Sequence, residues 1–128
     1  MLQQPVGPST RCPRRNGGAL GHPRGPSAFT AVLNGRRARG VTSTDTTVPG
    51  PAGDLPVRLY RPAGERETAL PVVMAFHSGG WMLGNLDTSD WLCSNVAAKV
   101  QAVVVAVDHR LAPEVPAPAA LDDCYTAP

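Results

Sequence analysis

Two short apolar runs constrain the fold of this chain more than any other feature of its sequence. They are Val72–Phe76 and Ala102–Val107, and both are rich in valine. Uninterrupted apolar runs of this length are typical of strands that are buried on both faces, as in parallel sheets. The sequence therefore predicts two central strands of one sheet.

The segment between these runs has the apolar spacing of a helix. The repeating positions are Leu92, Val96 and Val100, with Trp91 and Ala97 beside them. This spacing predicts a helix over residues 87–100 that buries this apolar face. Asp87 or Thr88 is suited to cap its first turn. Strand, helix and strand in this order form a right-handed βαβ unit, so we expect an α/β fold built on a parallel sheet.

Two further elements flank the βαβ unit. Leu55–Tyr60 alternates between apolar side chains at odd-numbered positions and other residues at even-numbered ones, which predicts a half-buried or edge strand. A turn is expected over residues 49–53, where Pro and Gly dominate. Pro118 fits the first turn of a last helix that begins there.

The chain divides near residue 47 into two parts of different composition. Residues 1–40 hold seven arginines and no acidic residue, and twelve of them are Gly or Pro. Such a segment has little apolar surface to offset the entropy of ordering it, so we interpret residues 1–47 as disordered. Residues 48–128 then form one partial domain. The arginines also permit a basic arm that binds nucleic acid, but a net charge of +2 does not favour that partner.

The sequence indicates neither membrane insertion nor secretion. No apolar run approaches the roughly 20 residues that a bilayer requires, and no apolar signal region follows Met1. The cysteines, Cys12, Cys93 and Cys124, match no disulfide framework or metal-binding spacing. We therefore expect free thiols in the reducing cytoplasm, with no metal and no cofactor.

A candidate binding loop follows each of the two apolar runs, namely His77–Gly84 and Asp108–Glu114. In open α/β sheets, ligands bind beyond the carboxyl ends of the strands. Gly79 and Gly80 let the chain turn sharply and present bare N–H groups, which can hold an oxyanion or a phosphate. The G-x-G-x-x-G order of dinucleotide-binding loops is not present. A tight loop without a ligand remains the alternative.

Longer motifs that overlap or follow both segments resemble those of a known family. Phe76–Trp81 reads F-H-S-G-G-W and Gly84–Thr88 reads G-N-L-D-T, while Val107–Glu114 reads V-D-H-R-L-A-P-E and residues 116–123 read P-A-P-A-A-L-D-D. These stretches resemble the hormone-sensitive-lipase-like branch of the α/β-hydrolases. The resemblance spans residues 48–128 and implies the amino-terminal part of an α/β-hydrolase fold with a mostly parallel sheet. It also implies hydrolysis of small carboxylic esters by a Ser–His–acid triad.

The resemblance implies roles for individual residues of the first loop. The backbone N–H groups of Gly79 and Gly80 correspond to donors of the oxyanion hole. His77 and Ser78 brace the loop, and His77 does not correspond to the triad base. Trp81 is expected to line the substrate pocket.

The second motif implies mainly structural roles. Arg110 and Glu114 are expected to belong to a polar network beneath the site. We interpret Asp122 and Asp123 as part of the charged face of a helix. His109 stands where the family has tyrosine, and we interpret it as a packed or solvated substitute rather than a base.

Two other positions depart from the family pattern. Ser78 replaces the first motif glycine and would cost about 1 kcal/mol or more if its φ were positive. It is a poor candidate nucleophile, because neighbours at a strand end point apart. Ala117 replaces an aromatic residue. Asp108 beside His109 suggests a metal, but no further ligand is suitably spaced.

The nucleophile elbow G-x-S-x-G occurs nowhere in the 128 residues. We interpret the chain as an amino-terminal fragment of an ester hydrolase that supplies oxyanion donors, contains no catalytic triad residue and is inactive alone. A non-catalytic binding or dimerising module is the alternative. Without the strand that enters the elbow, Val72–Phe76 has an open edge. We therefore expect the chain to be unstable or to self-associate.

Overall fold

A computed structural model describes residues 35–64 and 69–128 of the chain. Within these ranges the backbone forms four strands and two helices, and the predicted α/β class is confirmed. In chain order they are β1 (Val41–Gly50), β2 (Gly53–Pro62), β3 (Val72–Phe76), α1 (Leu86–Val100), β4 (Val103–Val107) and α2 (Ala119–Thr126).

The four strands form one mixed sheet in the order β1-β2-β4-β3. β3 and β4 are parallel, with Val72 opposite Val103 and Phe76 opposite Val107, which confirms the predicted strand–helix–strand unit. β2 is antiparallel to both β1 and β4. The expectation of a mostly parallel sheet is therefore wrong for the described strands, of which only the β3–β4 pair is parallel.

β1 corrects the predicted start of the ordered domain. Val41–Gly50 begins within the segment interpreted as disordered, yet it pairs with β2 along its whole length, from Val41 opposite Pro62 to Gly50 opposite Gly53. Most of its side chains are exposed, so it shows no apolar alternation. Its threonines and valines nevertheless favour an extended backbone. The disorder expected over residues 1–34 lies outside the described residues.

β2 is an interior strand, because β1 and β4 flank it. The edge alternative is therefore wrong, whereas the predicted alternation is confirmed. Leu55 and Val57 pack with Val107 on one face of the sheet. Tyr60 packs with Val104 on the other face, beneath α1. The sheet thus has a hydrophobic cluster on each side.

α1 buries only part of the face that was predicted for it. Its buried residues are Cys93, Ser94 and Ala97, whereas Leu92 and Val100 are 56% and 58% exposed. Small side chains allow a helix to lie close to a sheet. A prediction from the spacing of large apolar residues does not detect a face that is made of small ones. Of the predicted face, Ala97 is buried and Val96 packs against the core, whereas Leu92 and Val100 point away from the sheet.

The start of α1 is also set differently from the prediction. Asn85, rather than Asp87 or Thr88, is the N-cap residue. Its side-chain oxygen accepts a hydrogen bond from the Thr88 backbone N–H at 3.1 Å, and its own N–H donates to the Thr88 hydroxyl at 3.4 Å. This capping box fixes the path by which the glycine-rich loop enters the helix.

A cluster of charges fixes how α1 is rotated on the sheet. Arg58 of β2 donates to Asp45 of β1 at 2.6 and 3.0 Å, to Asp87 at 2.8 Å and to Asp90 at 2.9 Å. Arg37 also donates to Asp90, at 2.8 Å from Nε. The hydrogen bond between Arg58 and Asp45 lowers the pKa of that carboxyl and is the largest cause that raises the pKa of Arg58. Both acids on α1 therefore face the sheet.

β3 is the terminal strand of the sheet within the described residues. Val72 is 64% exposed and Phe76 is 45% exposed. The prediction that this run is buried on both faces is therefore wrong, and the expected open edge is present. β4 by contrast is largely buried, as predicted.

The last predicted helix is confirmed, since Pro118 is the N-cap of α2. The expected turn is confirmed as well. The chain reverses between β1 and β2 at residues 51–52.

Tyr60→Phe tests how much the charge cluster stabilises the fold. Tyr60 is fully buried and its hydroxyl donates to Asp90, so we expect the free energy of unfolding to fall by about 1.5 kcal/mol. Pulse proteolysis in a urea series measures this change. Tyr125→Phe is the matched control, because Tyr125 is 88% exposed. Equal stabilities of the two variants would contradict the role assigned to this hydrogen bond.

Candidate functional site

The parallel register of β3 and β4 brings the two predicted loops together. The strands end side by side at Phe76 and Val107, so His77 and Asp108 begin neighbouring loops. The backbone N–H of Ala112 donates to the Trp81 carbonyl at 2.8 Å, which joins the loops further out. The expectation that both segments meet at one edge of the sheet is confirmed.

Two histidine rings stack at the base of these loops. The centroids of His77 and His109 lie 4.1 Å apart with an interplanar angle of 16°, and both residues are buried. Each Nδ1 lies 3.1 Å from the carbonyl oxygen of the next residue, Ser78 or Arg110. Since a carbonyl can only accept, Nδ1 carries the hydrogen in both rings. His109 is therefore packed, as one of the two interpretations expected.

The His77 ring packs closely against the end of the first loop. A Cβ on Gly84 would lie 2.4 Å from His77 Nδ1 and 2.6 Å from the Ser78 carbonyl oxygen. Only glycine leaves room for the ring at this point. The other ring nitrogen of His77 is buried without a hydrogen-bond partner among the described residues. In the sequence, Gly84 stood out only as the first residue of the G-N-L-D-T motif, with no role of its own.

The adjacent glycines have the positive φ angles that favour glycine. Gly79 has φ +133° and Gly80 has φ +61°. A Cβ on Gly79 would lie 1.9 Å from the Leu83 carbonyl oxygen, whereas a Cβ on Gly80 would meet nothing within 4 Å. The Gly79 carbonyl accepts from the N–H groups of Met82 and Leu83 at 3.2 and 3.1 Å. Gly79 is therefore fixed by contact, and Gly80 by backbone conformation alone.

The backbone of Ser78 is not strained by a positive φ angle. Within the described ranges, the non-glycine residues with positive φ are Trp81 and Gln101. Serine at position 78 therefore costs no left-handed backbone conformation. The positive φ of Trp81, +60°, lies instead at the position after the two glycines.

The N–H groups of Gly79 and Gly80 donate no hydrogen bond to any residue that the structure describes. Two neighbouring donors without protein acceptors can bind an anionic or carbonyl oxygen. At the start of the second loop, burial raises the pKa of Asp108, an effect that His77 and His109 partly oppose. In the described part of the chain, no group of three or more His, Cys, Asp or Glu residues is placed to hold a metal ion.

Arg110 and Asp123 form an ion pair beneath the second loop, in which the carboxylate is buried and the arginine is partly exposed. The Arg110 guanidinium donates to both carboxylate oxygens at 2.8–3.1 Å, and its backbone N–H donates to Asp123 Oδ2 at 2.9 Å. The interpretation of Asp123 as part of a solvated helix face is wrong, because Asp123 is 1% exposed. Asp122 is exposed as expected, and Glu114 is exposed and lies outside this network. The sequence did not reveal that Asp123 is the partner of Arg110.

Two cavities are lined by residues of the two loop segments. One has a volume of about 270 Å³ and is lined by apolar residues of both segments. They include Trp81, Ala112, Val115, Ala117, Ala120 and Leu121. The other has a volume of about 480 Å³ and a mixed lining, in which Asp108, His109, Arg110 and Glu114 lie beside the apolar residues Met82, Leu111 and Val115. The side chain of Trp81 is 63% exposed and forms a wall of the apolar cavity.

Comparisons with known proteins identify this architecture. Residues 73–128 match the family described as the alpha/beta hydrolase fold. The chain is 49% identical over 87 residues to the carboxylic ester hydrolase LipN of Mycobacterium tuberculosis, a match that covers 68% of this chain and 23% of that protein. Residues 73–128 of the chain belong to the α/β-hydrolase family.

Two further comparisons, with a curated protein and with a solved structure, agree with this assignment. The carboxylesterase NlhH of Mycobacterium tuberculosis is 53% identical over 74 residues, which are 58% of this chain and 23% of NlhH. A solved esterase of Pyrobaculum calidifontis is 38% identical with a TM-score of 0.68, over 77% of this chain and 31% of that one. The α/β-hydrolase chain thus spans about a quarter of the length of the curated relatives it matches. None of the helices in the described ranges is long and apolar enough to cross a membrane.

Arg110→Ala tests the buried ion pair through its dependence on pH. Burial alone would raise the pKa of Asp123, but the hydrogen bonds from Arg110 hold it below its ordinary value. The pair therefore stabilises the fold above about pH 4, and this stabilisation is lost as the pH falls. Without the Arg110 side chain, the buried carboxylate keeps only the backbone N–H of residue 110 as a donor at pH 7, and a proton can neutralise it at lower pH. We expect a loss of about 3 kcal/mol at pH 7 and a smaller loss at pH 4.

Urea unfolding at the two pH values measures this difference. Arg39→Ala is the control, because Arg39 is exposed and we expect its removal to change stability equally little at both. A loss from Arg110→Ala that is independent of pH would contradict the assigned role of Asp123.

Proposed function

We propose that this α/β-hydrolase chain is part of a carboxylic-ester hydrolase and supplies the backbone donors of its oxyanion hole. The observation that carries the proposal is that the N–H groups of Gly79 and Gly80, which follow the carboxyl end of β3, donate to no acceptor in the described part of the chain. Such donors stabilise the negative charge that develops on the carbonyl oxygen of an ester when a nucleophile attacks it.

His77, Ser78 and Trp81 have supporting roles in this proposal. His77 packs against Gly84 and His109, so it braces the loop that presents the donors, and Ser78 supplies the carbonyl that accepts from its ring. Trp81 follows the donors directly and lines the apolar cavity. It would contact the apolar part of a small ester substrate.

The nucleophile is not provided by a G-x-S-x-G elbow within the 128 residues. We therefore propose that it lies outside them, and that these residues alone do not hydrolyse esters. The names of the relatives support ester hydrolysis as the reaction of the whole protein: LipN is a carboxylic ester hydrolase, and NlhH is a carboxylesterase.

The cytoplasm is the compartment that we propose for this chain. Cys93 and Cys124 are free thiols, as expected where disulfides are kept reduced. Burial raises the pKa of Cys93 to about 11, and burial also raises the pKa of Cys124. Both thiols are therefore protonated and poorly reactive at neutral pH. Nucleic acid is not a proposed partner.

A chimera tests the oxyanion role. Residues 73–128 replace the aligned residues of NlhH, and hydrolysis of p-nitrophenyl butyrate is measured. We expect an active chimera, in which Gly79→Ala lowers kcat by about 10²- to 10³-fold, the usual effect of losing one oxyanion donor. The cause is the clash of the new methyl group with the Leu83 carbonyl, which displaces the donors.

Gly80→Ala is the matched control, since its methyl group enters open space. We expect it to lower kcat less than Gly79→Ala, because only the left-handed φ is strained. The unmodified 128-residue chain should show no hydrolysis above buffer. An inactive chimera that binds substrate normally, or saturable turnover by the 128-residue chain, would contradict the proposal.

Self-association through β3 is a second candidate function. β3 has no strand beyond it among the described residues, and its run V-V-M-A-F contains no charge and no proline to block pairing. An unprotected edge of this kind pairs readily with another copy.

The mass in solution tests this second candidate. We expect the chain to sediment above its monomer mass of 13.4 kDa, and Val72→Lys to shift it toward monomer, because an edge lysine disfavours strand addition. Val100→Lys is the control, at a similarly exposed valine on α1. If both variants keep the parent's mass, β3 is not the contact.

A further inference from the structure

Two histidine rings are in face contact at the base of the loop that carries the donor glycines. His77 comes from that loop and His109 from the neighbouring one, and their ring centroids are 4.1 Å apart. Both side chains are buried. His109 stands at the position where the family motif has tyrosine, so the second imidazole at this contact is a departure of this chain from the motif.

The hydrogen bond from the His77 ring sets the direction of one donor. Its Nδ1 lies 3.1 Å from the Ser78 carbonyl oxygen, and this carbonyl belongs to the same peptide bond as the Gly79 N–H. The C=O and N–H of a planar trans peptide point in opposite directions, so the position of the ring fixes where the Gly79 N–H points. His109 contacts the face of that ring and is itself bound to the Arg110 carbonyl at 3.1 Å.

The geometry of the pair suits uncharged rings. Since Nδ1 of each ring carries the hydrogen, a further proton would go to Nε2. Nε2 of His77 is buried without a hydrogen-bond partner among the described residues, so a proton there would meet no acceptor. If both rings were protonated, two positive charges would also face each other across 4.1 Å and repel.

The charges around the pair balance one added proton but not two. Asp108 interacts with both rings, and burial raises its pKa, so acid also neutralises this carboxylate. Asp123 of α2 interacts with His109, but Arg110 already binds it. The remaining charged groups act on Asp108 or line the cavity beside His109, and they are Arg58 of β2, Asp87 of α1 and the exposed Glu114. Asp108 is therefore the carboxylate that is left to balance the rings.

We propose that His109 is a positioning residue for the donor loop, and that it holds Gly79 and Gly80 in place while no more than one ring of the pair is charged. Histidine side chains gain a proton between about pH 8 and about pH 5. Two separated rings take up more protons in this range than the stacked pair, so falling pH favours the released loop. The use of the loop as an oxyanion hole rests on the proposed function, whereas its response to acid does not.

Amide hydrogen exchange in the full 128-residue chain tests this inference without any hydrolysis. The Leu83 N–H donates to the Gly79 carbonyl, and the Ala112 N–H donates to the Trp81 carbonyl, so both amides report whether the loop is closed. We expect their protection factors to fall about tenfold between about pH 7.5 and about pH 5, because two like charges in contact favour separation of the rings.

Two variants separate the contact of the rings from their charge. His109→Phe keeps an aromatic ring on His77 that cannot be protonated, and a charged His77 is attracted to its face. Both amides should therefore keep the parent's protection at neutral pH and change less than about twofold in acid. His109→Ala removes the ring, and both amides should lose protection about tenfold at either pH.

The Ala63 N–H is the internal control for both variants. It donates to the Gly40 carbonyl at the opposite end of the sheet from the two loops. Its protection should stay within about twofold throughout, because local opening of the loop leaves this end of the sheet intact. This control distinguishes release of the loop from unfolding of the whole chain.

The NlhH chimera connects the loop to the reaction, since residues 73–128 contain both histidines. We expect His109→Phe to raise the ratio of kcat at about pH 5.5 to kcat at about pH 7.5 by about threefold over the parent chimera, with KM unchanged. The comparison cancels the titration of the triad histidine, which both chimeras share. An unchanged ratio would overturn the positioning of the donors by His109.

The outcomes separate this inference from the proposed function. Protection that is independent of pH in the parent chain, or an equal loss in acid for His109→Phe, overturns the inference even if the chimera hydrolyses esters. The same is true if His109→Ala keeps the parent's protection. An acid-sensitive loop beside an inactive chimera would support the response of the ring pair and count against the proposed reaction alone.

Discussion

The candidate site depends on the register between two parallel strands. Because Phe76 lies opposite Val107, the chain leaves β3 and β4 at the same level, and the first residues of both loops meet. The stack of His77 on His109 follows directly from this alignment. A shift of the register by one residue would turn one ring to the opposite face of the sheet and remove the contact. The backbone hydrogen bond from Ala112 to Trp81 then joins the same two loops further from the strand ends.

Electrostatics, rather than apolar spacing, determine how α1 lies on that sheet. Arg58 lies on the face of β2 beneath the helix and binds Asp87 and Asp90. An arginine in this position needs carboxylates opposite it, because an unpaired charge under a helix is costly. The helix therefore turns its acids and small residues inward and leaves Leu92 exposed. Periodicity of large apolar residues indicated that a helix forms, but not which face it buries.

The sequence was most informative where a segment determines its own structure. Val72–Phe76, the α1 segment and the glycine-rich loop were all located from local pattern, and the motif resemblance placed Gly79 and Gly80 at a strand end, as the structure has them. Features that depend on residues far apart in the chain were missed. The strand β1 has no apolar pattern of its own and is held by its pairing with β2, and the burial of Asp123 depends on Arg110, thirteen residues before it.

In the glycine-rich loop, the residues that fix the backbone are different from the residue that presents a large side chain. Gly79 and Gly84 are held by contacts that leave no space for a Cβ, whereas Gly80 faces open space and Trp81 points largely into solvent. Sequence change at the two tight positions would displace the loop. Change at Trp81 would alter only the surface that the loop presents. A lineage built on this loop can therefore diversify what it recognises while its amide groups keep the same direction.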